Sequence, residues 1–290
     1  MHLMHGEIPS SIGDMSGLWA LDFSYNNFSG EIPEHLAKGW INLGILSPSN
    51  NSLHGQIFPM YFNLTSLLFL AVDNNQFSGN ILDGLSKCTQ LSILDMSNNQ
   101  ISGKIPSWFL NFTSLDTLVM RDNLLDGQFP IGFSSIQFLD LSGNQFSCSI
   151  PSSPELNYMH LQRNRFTGSL PSLLLNSSSL MSLDLGYNNS GGIPSWIGEL
   201  SELRVLLLKE NNFSGPIPEQ LCQLNRTLFM DLSLNNFVGS IPQCLNNISF
   251  GRIDDMEYPF YPRYSGDWCV KIIFLVDIMS AYKMDFLRIM

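Results

Sequence analysis

Positive charge is scarce in this chain. Its 290 residues include 14 lysines and arginines against 25 aspartates and glutamates, and charged residues make up only 13% of the total. A protein that binds the phosphate backbone of nucleic acid needs clustered lysine and arginine side chains. The formal net charge of −11 therefore argues against nucleic acid as a partner.

Motifs that carry catalytic chemistry are also missing. The sequence contains no GxSxG, no P-loop, no dinucleotide-binding GxGxxG, no HExxH and no kinase HRD or DFG motif. His2 and His5 lie three residues apart near the first residue, which is not the pattern of a metal site. The sequence thus predicts no enzyme, no cofactor and no metal site.

Long apolar runs are absent as well. The run from Ile272 to Val276 is short, whereas a membrane-spanning helix needs about 20 apolar residues. No basic segment followed by an apolar segment stands at the beginning, as a secretory signal peptide would require. We therefore expect neither a signal peptide nor a transmembrane helix within these 290 residues.

What the sequence does have is a repeat that ends in GxIP. Most repeats are 24 residues long, and two shorter intervals of 21 and 20 residues lie between Phe129 and Leu170. A fixed period of this length is typical of a solenoid, in which each repeat packs only on its neighbours. The position of the GxIP isoleucine is occupied by Ile8, Ile32, Ile57, Ile81, Ile105, Phe129, Ile150, Leu170, Ile193, Ile217 and Ile241.

Each repeat also places one asparagine four residues before its glycine, or before Cys148, which replaces that glycine in one repeat. A turn leaves backbone N–H and C=O groups without sheet partners, and a buried amide side chain can satisfy them. The pattern predicts a structural ladder of stacked amides. Its members are Asn26, Asn51, Asn75, Asn99, Asn123, Asn144, Asn164, Asn188, Asn211 and Asn235.

The repeats resemble the plant-type leucine-rich repeat, LxxLxxLxLxxNxLxGxIPxx, over residues 6 to 247. The resemblance implies an α/β repeat solenoid, a leucine-rich-repeat superhelix with a concave parallel β-sheet. We expect residues 1–247 to form this solenoid, with about ten repeats, a partial first repeat and no N-terminal cap.

After residue 247 the rhythm stops, and the Tyr-rich stretch that leads to VKIIFLVDIMSAYKMDFLRIM resembles the irregular island of plant receptor-like proteins. Residues 248–290 are thus expected to be a truncated, island-like segment. The resemblance implies a fragment of a receptor at the extracellular face of the plasma membrane. Its expected partners are a peptide or protein ligand and a co-receptor kinase of the leucine-rich-repeat class, through which it would signal.

Three alternatives stay open at this point. The chain could be a secreted enzyme inhibitor of the polygalacturonase-inhibitor type, although those inhibitors end in a short cysteine cap rather than an island. It could also be a piece of a receptor-kinase ectodomain. The third alternative is a non-functional, truncated paralogue, because missing caps would expose the apolar ends of the solenoid.

The glycosylation motifs and the cysteines give information about the cellular compartment of the protein. Low charge combined with abundant asparagine and serine suits a glycosylated extracellular surface. Cys222 and Cys244 lie one repeat apart, which allows a bridge, although their offsets from the GxIP motif differ by two residues. Five cysteines leave at least one unpaired or intermolecular. The predicted glycosylation sites are Asn63, Asn111, Asn176, Asn225 and Asn247.

Candidate binding residues come from the strand pattern. Alternate residues of a strand face opposite sides, so the leucines of LxL point into the core and the residues between them face the concave surface. Aspartates that recur in LDLS-like settings are interpreted as structural, whereas large polar residues that do not repeat are candidates for a ligand site. The alternative is a solvated face of unrelated polar residues. The predicted ligand-binding residues are Arg121, Asp122, Tyr158, His160, Gln162, Arg163, Tyr187 and Lys209.

Overall fold

Short parallel strands recur in every repeat of the chain. The computed structural model describes residues 3–57, 62 and 64–247, and the island-like segment 248–290 lies outside this range. In chain order the strands are β1 His5–Glu7, β2 Ala20–Asp22, β3 Asn27–Gly30, β4 Ile45–Ser47, β5 Ser52–Gly55, β6 Phe69–Ala71, β7 Gln76–Asn80, β8 Ile93–Asp95, β9 Gln100–Gly103, β10 Thr117–Val119, β11 Leu124–Gly127, β12 Phe138–Asp140, β13 Gln145–Cys148, β14 Tyr158–His160, β15 Arg165–Gly168, β16 Ser182–Asp184, β17 Asn189–Ser190, β18 Val205–Leu207, β19 Ser214–Gly215, β20 Phe229–Asp231 and β21 Asn236–Phe237.

The strands form two series of parallel sheets. The even-numbered strands from β2 to β20 make one ten-stranded sheet, in which equivalent residues of successive repeats pair, as Leu94 does with Leu118. The odd-numbered strands make a nine-stranded sheet from β1 to β17 and a separate pair, β19 and β21. The predicted α/β repeat solenoid with a concave parallel sheet is confirmed, and the concave sheet is the ten-stranded one.

Short helices connect the second strand of a repeat to the first strand of the next. Several follow the proline of GxIP directly, because the fixed φ of proline suits the start of a helical turn. Among the described residues no helix is long and apolar enough to cross a bilayer. The helices are α1 Leu36–Gly39 and the 3₁₀ helices Ser10–Asp14, Asp83–Lys87, Ser107–Asn111, Ser172–Asn176, Ser195–Glu199, Glu219–Gln223 and Gln243–Asn247.

The core runs lengthwise between the two series of strands. The leucines of LxL are fully enclosed, for example Leu94, Leu118 and Leu183, each with no exposed surface. Cys88 belongs to the same core, and burial raises the pKa of its thiol to about 12, so it behaves as a small apolar side chain. Each leucine packs on its equivalents in the neighbouring repeats, which makes the core quasi-one-dimensional.

The asparagines that recur in each repeat bond to two repeats at once. Nδ2 of Asn123 donates to the carbonyl oxygens of Met120 (3.2 Å) and Arg121 (3.2 Å) in its own turn and of Met96 (2.9 Å) in the preceding repeat. Its Oδ1 accepts from the backbone N–H of Ile101 at 3.0 Å. The other nine asparagines make equivalent bonds, so the amides satisfy backbone groups that the turns leave without sheet partners.

The glycine of each repeat lies in left-handed backbone conformation. Gly127 has φ 73° and Gly168 has φ 84°, values that glycine adopts without strain. Cys148 occupies the same position with φ 69°, and its thiol is exposed and unpaired. A cysteine here carries backbone strain that glycine would not.

Replacing Cys148 with glycine is expected to raise the free energy of unfolding by about 1 kcal/mol, because the strain of a side chain at positive φ is removed. Chemical denaturation of the two proteins measures the difference. The matched control is Gly168→Ala. A Cβ there would meet no atom within 4 Å, so only the backbone strain is added, and a loss of about 1 kcal/mol is expected. Equal stability of Cys148→Gly and the parent would contradict this explanation.

Two cysteines join adjacent repeats. Cys222 and Cys244 form a disulfide, with their Cα atoms 5.7 Å apart. Cys222 lies in the helix Glu219–Gln223 and Cys244 in the helix Gln243–Asn247, so the bond ties the last two described repeats together on their outer side. Their offsets from the GxIP motif differ by two residues, yet the helical turns that carry the two cysteines bring them within bonding distance.

Candidate ligand-binding face

The recurring aspartates of the concave sheet bond to their own turns. Oδ1 of Asp140 accepts from the backbone N–H of Ser142 at 3.0 Å and from its hydroxyl at 2.6 Å, and Asp231 makes the same two bonds with Ser233. Asp22, Asp95 and Asp184 each accept from the backbone N–H two residues later. A side chain that bonds its own backbone two residues on stabilises a turn, which supports a structural role for this set.

The residue just before each ladder asparagine has a left-handed backbone conformation in all ten repeats. Asn50, Asn74 and Asn98 occupy this position in three early repeats, with φ between 50° and 55°. Asparagine tolerates this conformation, whereas bulkier residues are strained in it. Arg163 and Tyr187 nevertheless adopt φ 57°. Tyr25, Glu210 and Leu234 also occupy this position, with φ between 53° and 55°.

The eight predicted ligand-binding residues fall into three environments. Asp122, Arg163 and Tyr187 are exposed in the left-handed turns at one edge of the concave sheet. The four partly buried residues face the concave side, and they are Arg121, Tyr158, Gln162 and Lys209. His160 is only 2% exposed, so a ligand cannot reach its ring in this conformation.

Tyr187 and Lys209 form one exposed contact between neighbouring repeats. Nζ of Lys209 lies 5.6 Å from the centroid of the Tyr187 ring, within the range of a cation–π interaction. A hydrogen bond with Tyr187 raises the pKa of the Lys209 ammonium group. The contact holds an aromatic ring, 41% exposed for the residue as a whole, next to a positive charge at the edge of the sheet.

Three aromatic rings cover the centre of the sheet. The ring centroid of Phe138 lies 5.7 Å from that of Tyr158 and 5.5 Å from that of His160, the latter contact being edge-to-face. The hydroxyl of Tyr158 donates toward Sδ of Met181 at 3.8 Å. Burial raises the pKa of Tyr158 to about 12. Phe138 and Tyr158 are partly buried and His160 is 2% exposed, so water has little access to the imidazole.

Arg121 lies among carboxylates. Its positive charge lowers the pKa of Asp95 and of Asp122, but burial has the larger effect, so the pKa of each carboxyl group is raised. The pKa of Asp95 is raised to about 8 by burial and by the neighbouring Asp73 carboxylate, while Ser97 and Arg121 act in the opposite direction. Because Asp73 and Asp95 are 8% and 7% exposed, two buried carboxyl groups share this end of the face, and folding favours the protonated, neutral form of Asp95.

The polar groups of this face suit binding better than catalysis. Nε2 of His160 lies 3.2 Å from Oγ of Ser182, a pairing that in other settings activates a nucleophile. Ser182 is only 5% exposed, so a substrate carbonyl cannot approach its hydroxyl. Among the described residues no group of three or more His, Cys, Asp or Glu side chains could hold a metal ion.

The predicted glycosylation sites stay predictions. Asn111, Asn176 and Asn225 are exposed at or just after the ends of 3₁₀ helices, on the side of the solenoid away from the concave sheet. Glycans there would leave the concave face clear. Asn63 and the side chain of Asn247 lie outside the part of the chain that the structure describes.

Five segments of the chain match a known family model. The family model described as Leucine Rich Repeat matches residues 17–38, 90–112, 135–156, 179–200 and 202–224. Receptor-like protein 13 of Arabidopsis thaliana is 44% identical over 62 residues, which are 21% of this chain and 6% of that protein. The chain thus covers only a small share of this curated relative.

Solved structures resemble a larger part of the chain. The Arabidopsis receptor kinase HAESA, solved with the peptide hormone IDA and the co-receptor SERK1, matches with a TM-score of 0.79 and 32% identity, over 85% of this chain and 42% of that one. The plant peptide hormone receptor RGFR1, solved with RGF2, matches with a TM-score of 0.75 and 32% identity, over 86% of this chain and 45% of that one. The chain spans less than half the length of each.

Proposed function

We propose that this chain, a leucine-rich-repeat protein of the plant receptor-like type, binds an extracellular peptide or protein ligand on its concave face. The binding surface consists of Arg121, Asp122, Tyr158, Gln162, Arg163, Tyr187 and Lys209, hereafter the ligand stripe. In the longer protein of which such a chain would be part, a co-receptor kinase would transmit the signal across the plasma membrane. The two similar receptors are peptide hormone receptors solved with their ligands, which favours a peptide here as well.

One observation carries the proposal. The left-handed position holds asparagine in three early repeats, which is the residue the backbone prefers, whereas within the ligand stripe it holds Asp122, Arg163 and Tyr187. Holding Arg163 and Tyr187 there costs about 1 kcal/mol each relative to asparagine. Tyrosine and arginine are the side chains that most often anchor interfaces. The same strain occurs at Tyr25 and Leu234, so the support for a binding role is the combination of strain with two such anchor side chains in neighbouring repeats.

The disulfide and the exposed sequons support the compartment. A bond between Cys222 and Cys244 forms and persists in oxidising surroundings such as the outside of the cell. Asn111, Asn176 and Asn225 are exposed and available to the glycosylation machinery. Both features favour an extracellular location, which the receptor and the secreted-inhibitor alternatives share.

Substituting asparagine for Arg163 and Tyr187 tests the proposal without disturbing the fold. Asparagine suits φ 57°, so each variant should be as stable as the parent or more stable, while the anchoring side chain is lost. A peptide is first selected from a displayed library of random peptides on the parent protein, and its affinity is measured by calorimetry. We expect the double variant to bind about tenfold more weakly or worse.

The matched control is Tyr25→Asn, which makes the same exchange at φ 53° in the first repeat, outside the ligand stripe. It should leave the affinity unchanged. The proposal fails if the double variant and the control bind the selected peptide equally well.

A further inference from the structure

His160 stands at the position where five of the other nine repeats have aspartate. In the ten-stranded sheet it pairs with Asp140 of β12 on one side and with Asp184 of β16 on the other. The aspartates at this position accept hydrogen bonds from their own turns, as Asp140 and Asp184 do. An imidazole that stands between two such carboxylates on a binding face has no structural counterpart in the other repeats.

The ring of His160 is enclosed. The residue is 2% exposed, its Nε2 lies 3.2 Å from Oγ of Ser182, and Phe138 contacts it edge-to-face. Tyr158, on the same strand, stands beside Phe138 with the two rings 5.7 Å apart. Phe138 thus packs against the imidazole at the centre of the concave sheet, and Tyr158 packs against Phe138.

The charged groups around the ring have opposite effects on the pKa of His160. Asp140 on β12 favours the imidazolium form, and Asp184 on β16 is its neighbour in register. Arg121, which follows β10, disfavours a second positive charge. Tyr158 on β14 and Ser182 on β16 are neutral. Burial is the largest effect and lowers the pKa of His160, because the enclosed ring cannot be hydrated as a cation.

We infer that His160 is an acid-sensitive latch on the ligand-binding face. In the closed state the neutral imidazole is held between Ser182 and Phe138, and Tyr158 packs against Phe138. On acidification it takes up a proton from solvent, leaves its enclosed position to be hydrated, and displaces the two rings. The face between β12 and β16 then opens beside Gln162 and Arg163. Ligand binding would therefore differ between neutral and acidic surroundings, a consequence that rests on the proposed function.

The sign of the effect follows from the direction of the shift. The pKa of His160 in the folded protein lies below the ordinary 6.5, so its contribution to stability is present above about pH 6.5. It is lost as the pH falls through the folded-state pKa. Acid should thus loosen this part of the sheet first, before the protein unfolds as a whole.

The test compares the parent with His160→Gln, whose amide can still bond Ser182 but cannot take up a proton. Both carry Asp95→Asn, which removes a buried carboxyl group whose pKa, raised to about 8, would add an acid response of its own. Hydrogen exchange of the β14 amides is measured at about pH 7 and pH 5 and corrected for intrinsic rates. We expect acid to speed exchange in the parent about tenfold or more, with little change in His160→Gln.

The matched control is His54→Gln, which removes an exposed histidine and should behave as the parent does. NMR titration of the His160 Cε1–H signal reports the protonation directly and needs no ligand. An imidazole that becomes charged at or above pH 6.5, or equal acid responses of the parent and His160→Gln, would overturn the inference. Either result would leave the peptide-binding proposal untouched, since that is tested at neutral pH with Arg163 and Tyr187.

Discussion

Replacing Asn123 with alanine is expected to lower the free energy of unfolding by about 3 kcal/mol, the largest loss among the substitutions considered. The amide of Asn123 makes bonds to four backbone groups in two repeats, and it is 6% exposed. Alanine leaves the N–H of Ile101 and three carbonyls without that partner, and each unsatisfied buried group costs about 1–3 kcal/mol, partly relieved by relaxation. Denaturation in urea measures the loss.

Because a solenoid repeat contacts only its neighbours, the damage should also be local in origin. Hydrogen exchange in Asn123→Ala should increase first in β8 and β10, the strands followed by the carbonyl groups of Met96 and Met120 that Asn123 bonds. The control is Asn80→Ala, in which an exposed asparagine is removed, and a change below about 0.5 kcal/mol is expected. Similar losses in the two variants would mean that the amide ladder does not hold the turns.

Replacing Asp95 with asparagine is expected to stabilise the protein by about 2 kcal/mol at pH 8. The pKa of Asp95 is raised to about 8 by burial and by Asp73. Its protonated form is therefore favoured by folding, and the stability it contributes is complete below about pH 4 and lost as the pH rises through 8. Asparagine cannot ionise, yet its Oδ1 can still accept from the N–H of Ser97, now 2.8 Å from Oδ1 of Asp95.

The measurement is thermal unfolding from about pH 4 to pH 8. The parent should lose stability across this range relative to Asp95→Asn, and the two curves should converge at the acid end. Asp22→Asn is the matched control, because Asp22 makes the same bond to Ser24 in an exposed setting. If Asp95→Asn gains nothing at pH 8, or if Asp22→Asn gains as much, the buried carboxylate is not the cause.

The repeat and its asparagine could be read from the sequence because a physical requirement fixes them. Each turn leaves the same backbone groups unpaired, so the same amide must recur at the same spacing. The recurring aspartates are similar, since a side chain that bonds its own backbone needs only local sequence. For these residues the local pattern determines the structure.

The second series of strands was not predicted. Its strands are rich in polar residues and glycine, and one of them, Gln76–Asn80 with the sequence QFSGN, has no β-branched residue. These strands exist because the ladder asparagine and the glycine at positive φ place successive turns side by side. The solenoid imposes the pairing, and strand propensity contributes little.

The environments of the ligand stripe could not be predicted either. Alternation assigns Arg163 and Tyr187 to the same surface as Tyr158, but their left-handed conformation is set by the turn and opposed by their side chains. The burial of His160 depends on the size of Phe138 and Tyr158 on two strands, which spacing within one repeat does not reveal. Contacts between repeats decide both properties.

The most direct test of the account is hydrogen exchange of the parent protein with and without a peptide selected on it. If the concave face is the binding face, the peptide should slow exchange in residues 158–163 and 182–187 and leave the 3₁₀ helices of the opposite side unchanged. Protection confined to those helices, or to the odd-numbered strands, would contradict the central claim.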